Sequence, residues 1–113
     1  MSLKTLRLAS SIAKEISTIL MLEVDDKNVK FVSINHVNLS TDMSYAKVYF
    51  TTFNKEYTDI TKKALNKSSG FIRSKLAKRV DMRHIPKLEF IYDDSIEYGK
   101  KIESKIKEIK DNN

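Results

Sequence analysis

The sequence predicts a single α+β domain: a three-stranded sheet covered on one face by helices. Three observations lead there. Segments near the start, middle and end carry apolar residues three and four apart, the period of a helix lying on a core. Two intervening segments are rich in Val, Ile, Thr, Tyr and Phe and alternate apolar with polar, as half-buried strands do. Punctuation is sparse, with one proline and two glycines in 113 residues, and Gly70 and Pro86 both fall where periodic segments meet.

Residues 3–22 read as an amphipathic helix, with Leu8, Ile12, Ile16, Ile19 and Leu20 inward. "EVDDKN" (23–28) breaks the apolar stripe with turn-forming residues. Segments 29–40 and 44–53 read as two strands, an antiparallel pair joined through "STDM"; Ala46, Val48 and Phe50 share one face, Tyr45, Lys47 and Tyr49 the other. Residues 56–69 return to a helical period, with Ile60, Ala64 and Leu65 inward and Lys62, Lys63 and Lys67 outward. A second helical segment, 71–80, follows with Ile72, Leu76 and Val80 four apart. Pro86 forces Ile85 out of helical geometry and opens a third strand at 87–92. Asp93, Asp94 and Ser95 are N-capping residues for a terminal helix whose seam is Ile96, Ile102, Ile106 and Ile109. The domain is expected over 1–110, with a frayed tail at 111–113.

Charge distribution is more informative than charge total. Residues 55–83 hold nine Lys/Arg and three acids, a surplus equal to the whole chain's net charge of +6. Such concentration is the footprint expected for a polyanion partner; a solvated lysine-rich face is the alternative. Glycine costs a helix about 1 kcal/mol relative to alanine. Gly70, beside Ser68 and Ser69, therefore marks a kink or helix end. A bend there would present amides at the start of the second helix to phosphate, with Arg73, Lys75, Lys78 and Arg79 alongside. Spacing places Lys75, Lys78 and Arg79 on one helix side, and Arg83 and His84 follow at the turn into the third strand. Lys4, Arg7 and Lys14 are further cations on the first helix. Tyr45 and Tyr49 suit either base stacking or cross-strand packing, whereas Phe50 suits the core.

Catalytic and metal chemistry find little support. With no cysteine, disulfides and thiolate sites are excluded; His36 and His84 lie far apart and in no ligand spacing. No nucleophile elbow or P-loop is present, so no enzyme and no cofactor are expected. No run reaches the roughly 18 apolar residues of a membrane span, and the N-terminal segment lacks a signal-peptide core, so an intracellular protein is expected.

The segments "SINHVNLSTDMSYAKVYFT", "SGFIRSKLAKR", "MRHIPKLEF" and "YDDSIEYGKKI", together with the leading basic helix, closely resemble the ribosome-binding factor A family. The likeness runs through essentially the whole chain. It implies a KH-type fold of the prokaryotic (type II) topology, ordered α-β-β-α-kink-α-β-α, which is the order read above. It also implies an Ala-x-Gly interhelical kink in place of the Gly-x-x-Gly loop that clamps single strands in KH domains. Here Ser68-Ser69-Gly70 stands at that kink, with serine for the family alanine.

Further implications concern function. The resemblance implies a cytoplasmic, monomeric assembly factor of the small (30S) subunit, important for growth in the cold. It would contact 16S rRNA near its 5′-terminal helix and assist late rRNA processing and folding. Release would be coupled to a ribosome-associated GTPase. Residues and resemblance together nominate Lys67, Ser69, Gly70, Arg73, Lys75, Lys78, Arg79 and Arg83 as the RNA-binding set.

Overall fold

The computed structural model describes residues 2–95. Helix α1 spans Leu3–Leu22, β1 Ser33–Leu39, β2 Tyr45–Thr51, α2 Thr58–Lys67, α3 Ser69–Leu76 and β3 Lys87–Tyr92. The strands form one sheet ordered β1-β2-β3, with β1–β2 antiparallel and β2–β3 parallel. The predicted α+β class, strand pairing and element order therefore hold through β3. The expected terminal helix beyond Ser95 and the tail at 111–113 lie outside the described residues.

Helix α1 starts where Ser2 caps it, its Oγ accepting from Thr5 N at 3.1 Å. It ends without a basic residue in its last turn. Lys30 compensates from beyond the turn, donating its ammonium to Met21 O (3.2 Å) and Val24 O (2.6 Å). The inward stripe is the predicted one: Ile12, Ile16, Ile19 and Leu20 are buried and Leu8 is partly so. Each such residue stabilises the fold by about 1.5–3 kcal/mol through burial.

The sheet contributes Val37, Leu39, Ala46, Val48, Phe50, Leu88 and Phe90 to the same core. The alternation read in β2 is reproduced without a slip, Ala46, Val48 and Phe50 all being fully buried. Helix α1 lies over β1, α2 over β3, and α3 wedges between α1 and β3. Because β2 and β3 are parallel, the chain must cross over the sheet between them, and α2 and α3 form that crossover.

Two boundaries and one inward-facing position depart from the sequence reading. Strand β1 begins at Ser33 instead of 29, because Asp26 accepts from Asn28 N (2.9 Å) and folds Lys27–Val29 into a 3-10 turn with Val29 buried. The second middle helix ends at Leu76 instead of 80: Arg79 N and Val80 N both return to Leu76 O, a tight turn that still buries Val80. Ile60, predicted inward, is 50% exposed, and Thr61 takes its place at 3%. A 3-10 turn at Lys55–Tyr57 precedes α2, and its inward stripe runs Thr61, Ala64, Leu65, leaving Ile60 about 100° round the helix.

Candidate nucleic-acid interface

The interruption between α2 and α3 is a single residue. Ser68 sits at φ −88°, ψ 0°, its N–H still bonded to Ala64 O, and its own carbonyl accepts from Ile72 N at 2.9 Å. The ψ near zero tilts α3 on α2, and Ser68 is bonded to both helices, by its N–H to α2 and by its carbonyl to α3. Gly70 is not the hinge. It lies in the first turn of α3 with a negative φ, and a Cβ placed there would meet no atom within 4 Å. Neither conformation nor internal packing demands glycine; the position faces open space.

The structure divides the predicted RNA-binding residues into three groups. Lys67, Ser69 and Gly70 flank the kink, Lys67 and Gly70 exposed and Ser69 half-buried. Lys78 and Arg83 are exposed in the segment leading to β3. The remaining three are occupied within the protein. Arg73 donates from Nε to Pro86 O (3.1 Å) and from Nη2 to Ile85 O (3.0 Å), so it fastens the loop before β3. Arg79 pairs with Glu15 (3.2 Å) and Glu23 (3.3 Å) of the α1 segment. Lys75 stands 3.9 Å from Glu23 and 5.3 Å from the Phe71 ring centroid. The expected free cationic face of Lys75, Lys78 and Arg79 on one helix is corrected accordingly. The helix stops at Leu76, and two of the three cations turn toward Glu15 on α1 and Glu23 at its C-cap.

One feature escaped the sequence reading. A cleft of about 460 Å³ between α2 and β3 is lined by Tyr45, Lys62, Asn66 and Lys87 among others. Lys62 and Asn66 reach it because they are four apart on α2, and Tyr45 and Lys87 because they are register partners across β2–β3. Only the parallel pairing brings these elements together, and no local pattern announces it. Tyr45 remains 49% exposed there. Tyr49, left open between two roles, stacks on His36 with centroids 4.3 Å apart and planes 15° apart, a cross-strand pair in register.

Carboxylates serve local structure. Asp93 accepts from Asn35 Nδ2 (2.8 Å) and Ser95 N (3.0 Å), which hold its carboxyl below the usual carboxylate range, the Asn35 bond foremost. Among the described residues no three His, Asp or Glu side chains are grouped as metal ligands, and no helix is long and apolar enough to cross a membrane.

Comparison with known proteins agrees with the geometry. The family model described as Ribosome-binding factor A matches residues 4–106. The chain is 46% identical to ribosome-binding factor A of Staphylococcus epidermidis, over 94% of this chain and 92% of that protein. It is 41% identical to the Francisella philomiragia counterpart, over 90% of this chain and 71% of that protein. The crystal structure of ribosome-binding factor A from Thermus thermophilus superposes with TM-score 0.71 at 26% identity, covering 78% of this chain and 94% of that one. A homology model of the Thermus thermophilus ribosome-binding factor A, as fitted into the cryo-EM map of a 30S complex with that factor, superposes with TM-score 0.61 at 27% identity, covering 84% of this chain and 97% of that one. With its helix-kink-helix crossover, its three-stranded sheet and these matches along its length, the chain belongs to the ribosome-binding factor A family.

Proposed function

We propose that the protein docks on the immature small ribosomal subunit, contacts 16S rRNA around its 5′-terminal helix, and assists late rRNA processing and folding without catalysing a reaction. The observation that carries the reading is the location of the charge. The chain's entire cationic surplus falls within 55–83, where Lys62, Lys63, Lys67, Lys78 and Arg83 are exposed. The fitted 30S complex of the Thermus thermophilus relative supports the choice of partner.

In this reading Lys67, Lys78 and Arg83 hold phosphates, while Ser69 and Gly70 let a backbone approach the kink closely. Lys62 and Lys87 extend the contact into the α2–β3 cleft, where Tyr45 offers a stacking face. Arg73 holds the loop that carries Arg83, and Lys75 and Arg79 balance the acids of α1. Assistance is differential binding: the protein prefers one rRNA conformation of the precursor and raises its population. It acts in the cytoplasm as a monomer, and a ribosome-associated GTPase completes its release.

Co-sedimentation with isolated small subunits, large subunits and joined ribosomes at two salt concentrations tests the reading. With about five phosphate contacts the logarithmic salt slope is roughly −3.5 to −4.5, so fourfold more salt weakens binding on the order of a few hundred-fold. Salt-sensitive pelleting with small subunits alone is the expected result. Equal affinity for free oligonucleotides would replace it with a general KH-like nucleic-acid module.

A further inference from the structure

On another part of the surface four large apolar side chains stand exposed around one groove of about 570 Å³: Phe31 (77% exposed), Phe53 (89%), Tyr57 (54%) and Ile60 (50%). Clustered exposed apolar side chains of this kind mark an interaction surface. The one charged residue lining the groove is Lys27, so charge does not select the occupant; position does. The groove lies at the end of the sheet where the chain leaves β3. Strands β2 and β3 run parallel, Phe50 is the register partner of Tyr92, and Asp93 N donates to Phe50 O at 2.8 Å. Phe53 comes three residues after Phe50, which keeps its Cα within about 12 Å of the Phe50 Cα. Asp93 is pinned there a second time, by Asn35 Nδ2 at 2.8 Å. Asn35 also accepts from Ser33 and Thr51, so the surface around Asp93 is polar and offers no apolar anchor.

The sequence that continues from this exit has apolar residues to bury. Ile102, Ile106 and Ile109 recur four and three apart among Lys, Glu and Ser. The seven residues from Ser95 to Ile102 reach about 10 Å as a helix and about 23 Å when extended, comparable with the step from the end of β3 to Phe53. We propose that residues 96–110 fold back over this groove and seat Ile102, Ile106 and Ile109 against Phe31, Phe53, Tyr57 and Ile60. The groove is then an internal docking surface, and the segment that fills it extends the core instead of the rRNA contact. The inference stands independently of the small-subunit reading.

The chain has no cysteine, so introduced pairs report without background. The test compares Phe53→Cys/Ile102→Cys and Phe53→Cys/Ile106→Cys with Phe53→Cys/Ser104→Cys, whose second cysteine lies off the isoleucine seam. Each full chain is oxidised at low concentration and its disulfides are followed by mass spectrometry. The expected result is an intramolecular disulfide that forms several-fold faster in a seam variant than in the Ser104 control. Equal rates, no disulfide, or a disulfide to a second copy overturns the inference. A second measurement uses stability. If the groove stayed uncovered, Phe53 at 89% exposure would contribute no burial and its loss would cost nothing. Phe53→Ser is expected instead to lower the urea midpoint by on the order of 0.5–1 M. The same change adds nothing further in an Ile102→Ser/Ile106→Ser background, because both variants remove one shared contact. An unchanged midpoint, or two effects that sum, overturns the inference.

Discussion

Arg73 and Pro86, thirteen residues apart in sequence, are joined by a 3.1 Å hydrogen bond from the guanidinium Nε to the prolyl carbonyl, and Nη2 continues the clasp to Ile85 O. A proline removes one backbone donor and leaves its carbonyl needing a partner, and here a side chain from α3 supplies it. Arg73→Ala is therefore expected to cost about 1.5–3 kcal/mol, as the loss of charge-assisted bonds does. Arg73→Lys restores charge without the planar fork and recovers only part of that stability. Urea denaturation of the three proteins measures both effects.

The ion pairs between Arg79 and Glu15 and Glu23 alter how charge-reversal experiments must be built. Placing Glu at 75 or 79 would set it against Glu15 and Glu23 and repel α1 from the end of α3. The informative variant is Lys67→Glu/Lys78→Glu/Arg83→Glu. It keeps the melting temperature within a few degrees and lowers the magnitude of the subunit-binding salt slope by about 2–3. Thermal melts beside sedimentation at several salt concentrations check this.

Glu23→Gln is expected to act in the opposite direction. The partly exposed pairs it breaks contribute about 0–1 kcal/mol, so stability changes little. Lys75 loses its acid and Arg79 keeps only Glu15, so Lys75 becomes available to phosphate and subunit affinity rises at low salt with a slightly steeper slope. An affinity equal to that of the unmodified chain at every salt concentration would count against rRNA lying near the α3 end.

Gly70→Ala separates folding from binding. Its helical backbone and open surroundings predict a gain of about 0.5–1 kcal/mol in stability. If an rRNA backbone rests on Gly70, the added methyl weakens subunit binding in the same protein. A more stable variant that binds as well as before would show that the glycine has no contact role.

Acid should loosen the β1–β2 turn before the core. Asp42 accepts from Ser44 Oγ (2.7 Å), Ser44 N (3.1 Å) and Ser40 Oγ (2.8 Å), and these bonds lower its pKa to about 2. A carboxyl depressed on folding stabilises the folded state above its unfolded pKa. That contribution fades as pH falls from about 4 towards 2. Asp42→Asn is expected to flatten the stability–pH curve in that window alone, and NMR titration of the Asp42 carboxyl locates the midpoint.

Legibility in the sequence followed range along the chain. The inward stripe of α1 and the alternation of β2 are set by neighbours within a turn or a pleat, and both were readable residue by residue. Ile60 misled because a 3-10 turn precedes α2, a choice made by Asn54 accepting from Glu56 N. The candidate site was half legible. The surplus of cations and the kink could be located, but the partners of Arg79 lie 56 and 64 residues away and those of Arg73 12 and 13 away. Such partners emerge only when α1, α3 and β3 converge. The cleft beside Tyr45 depends on the same convergence.

The one-residue bend at Ser68 sits inside the crossover between two strands that are themselves paired to each other. Beyond the ladder, Lys87 N bonds Ser44 O and Asp93 N bonds Phe50 O at either end of β3. Straightening the bend would therefore pull on β3 and on the buried Ile72 and Leu76 together. The cationic surface is held in shape before any partner arrives, so association need not spend entropy on ordering it. On the proposed rRNA reading, neither association nor GTPase-completed release then requires the factor to unfold.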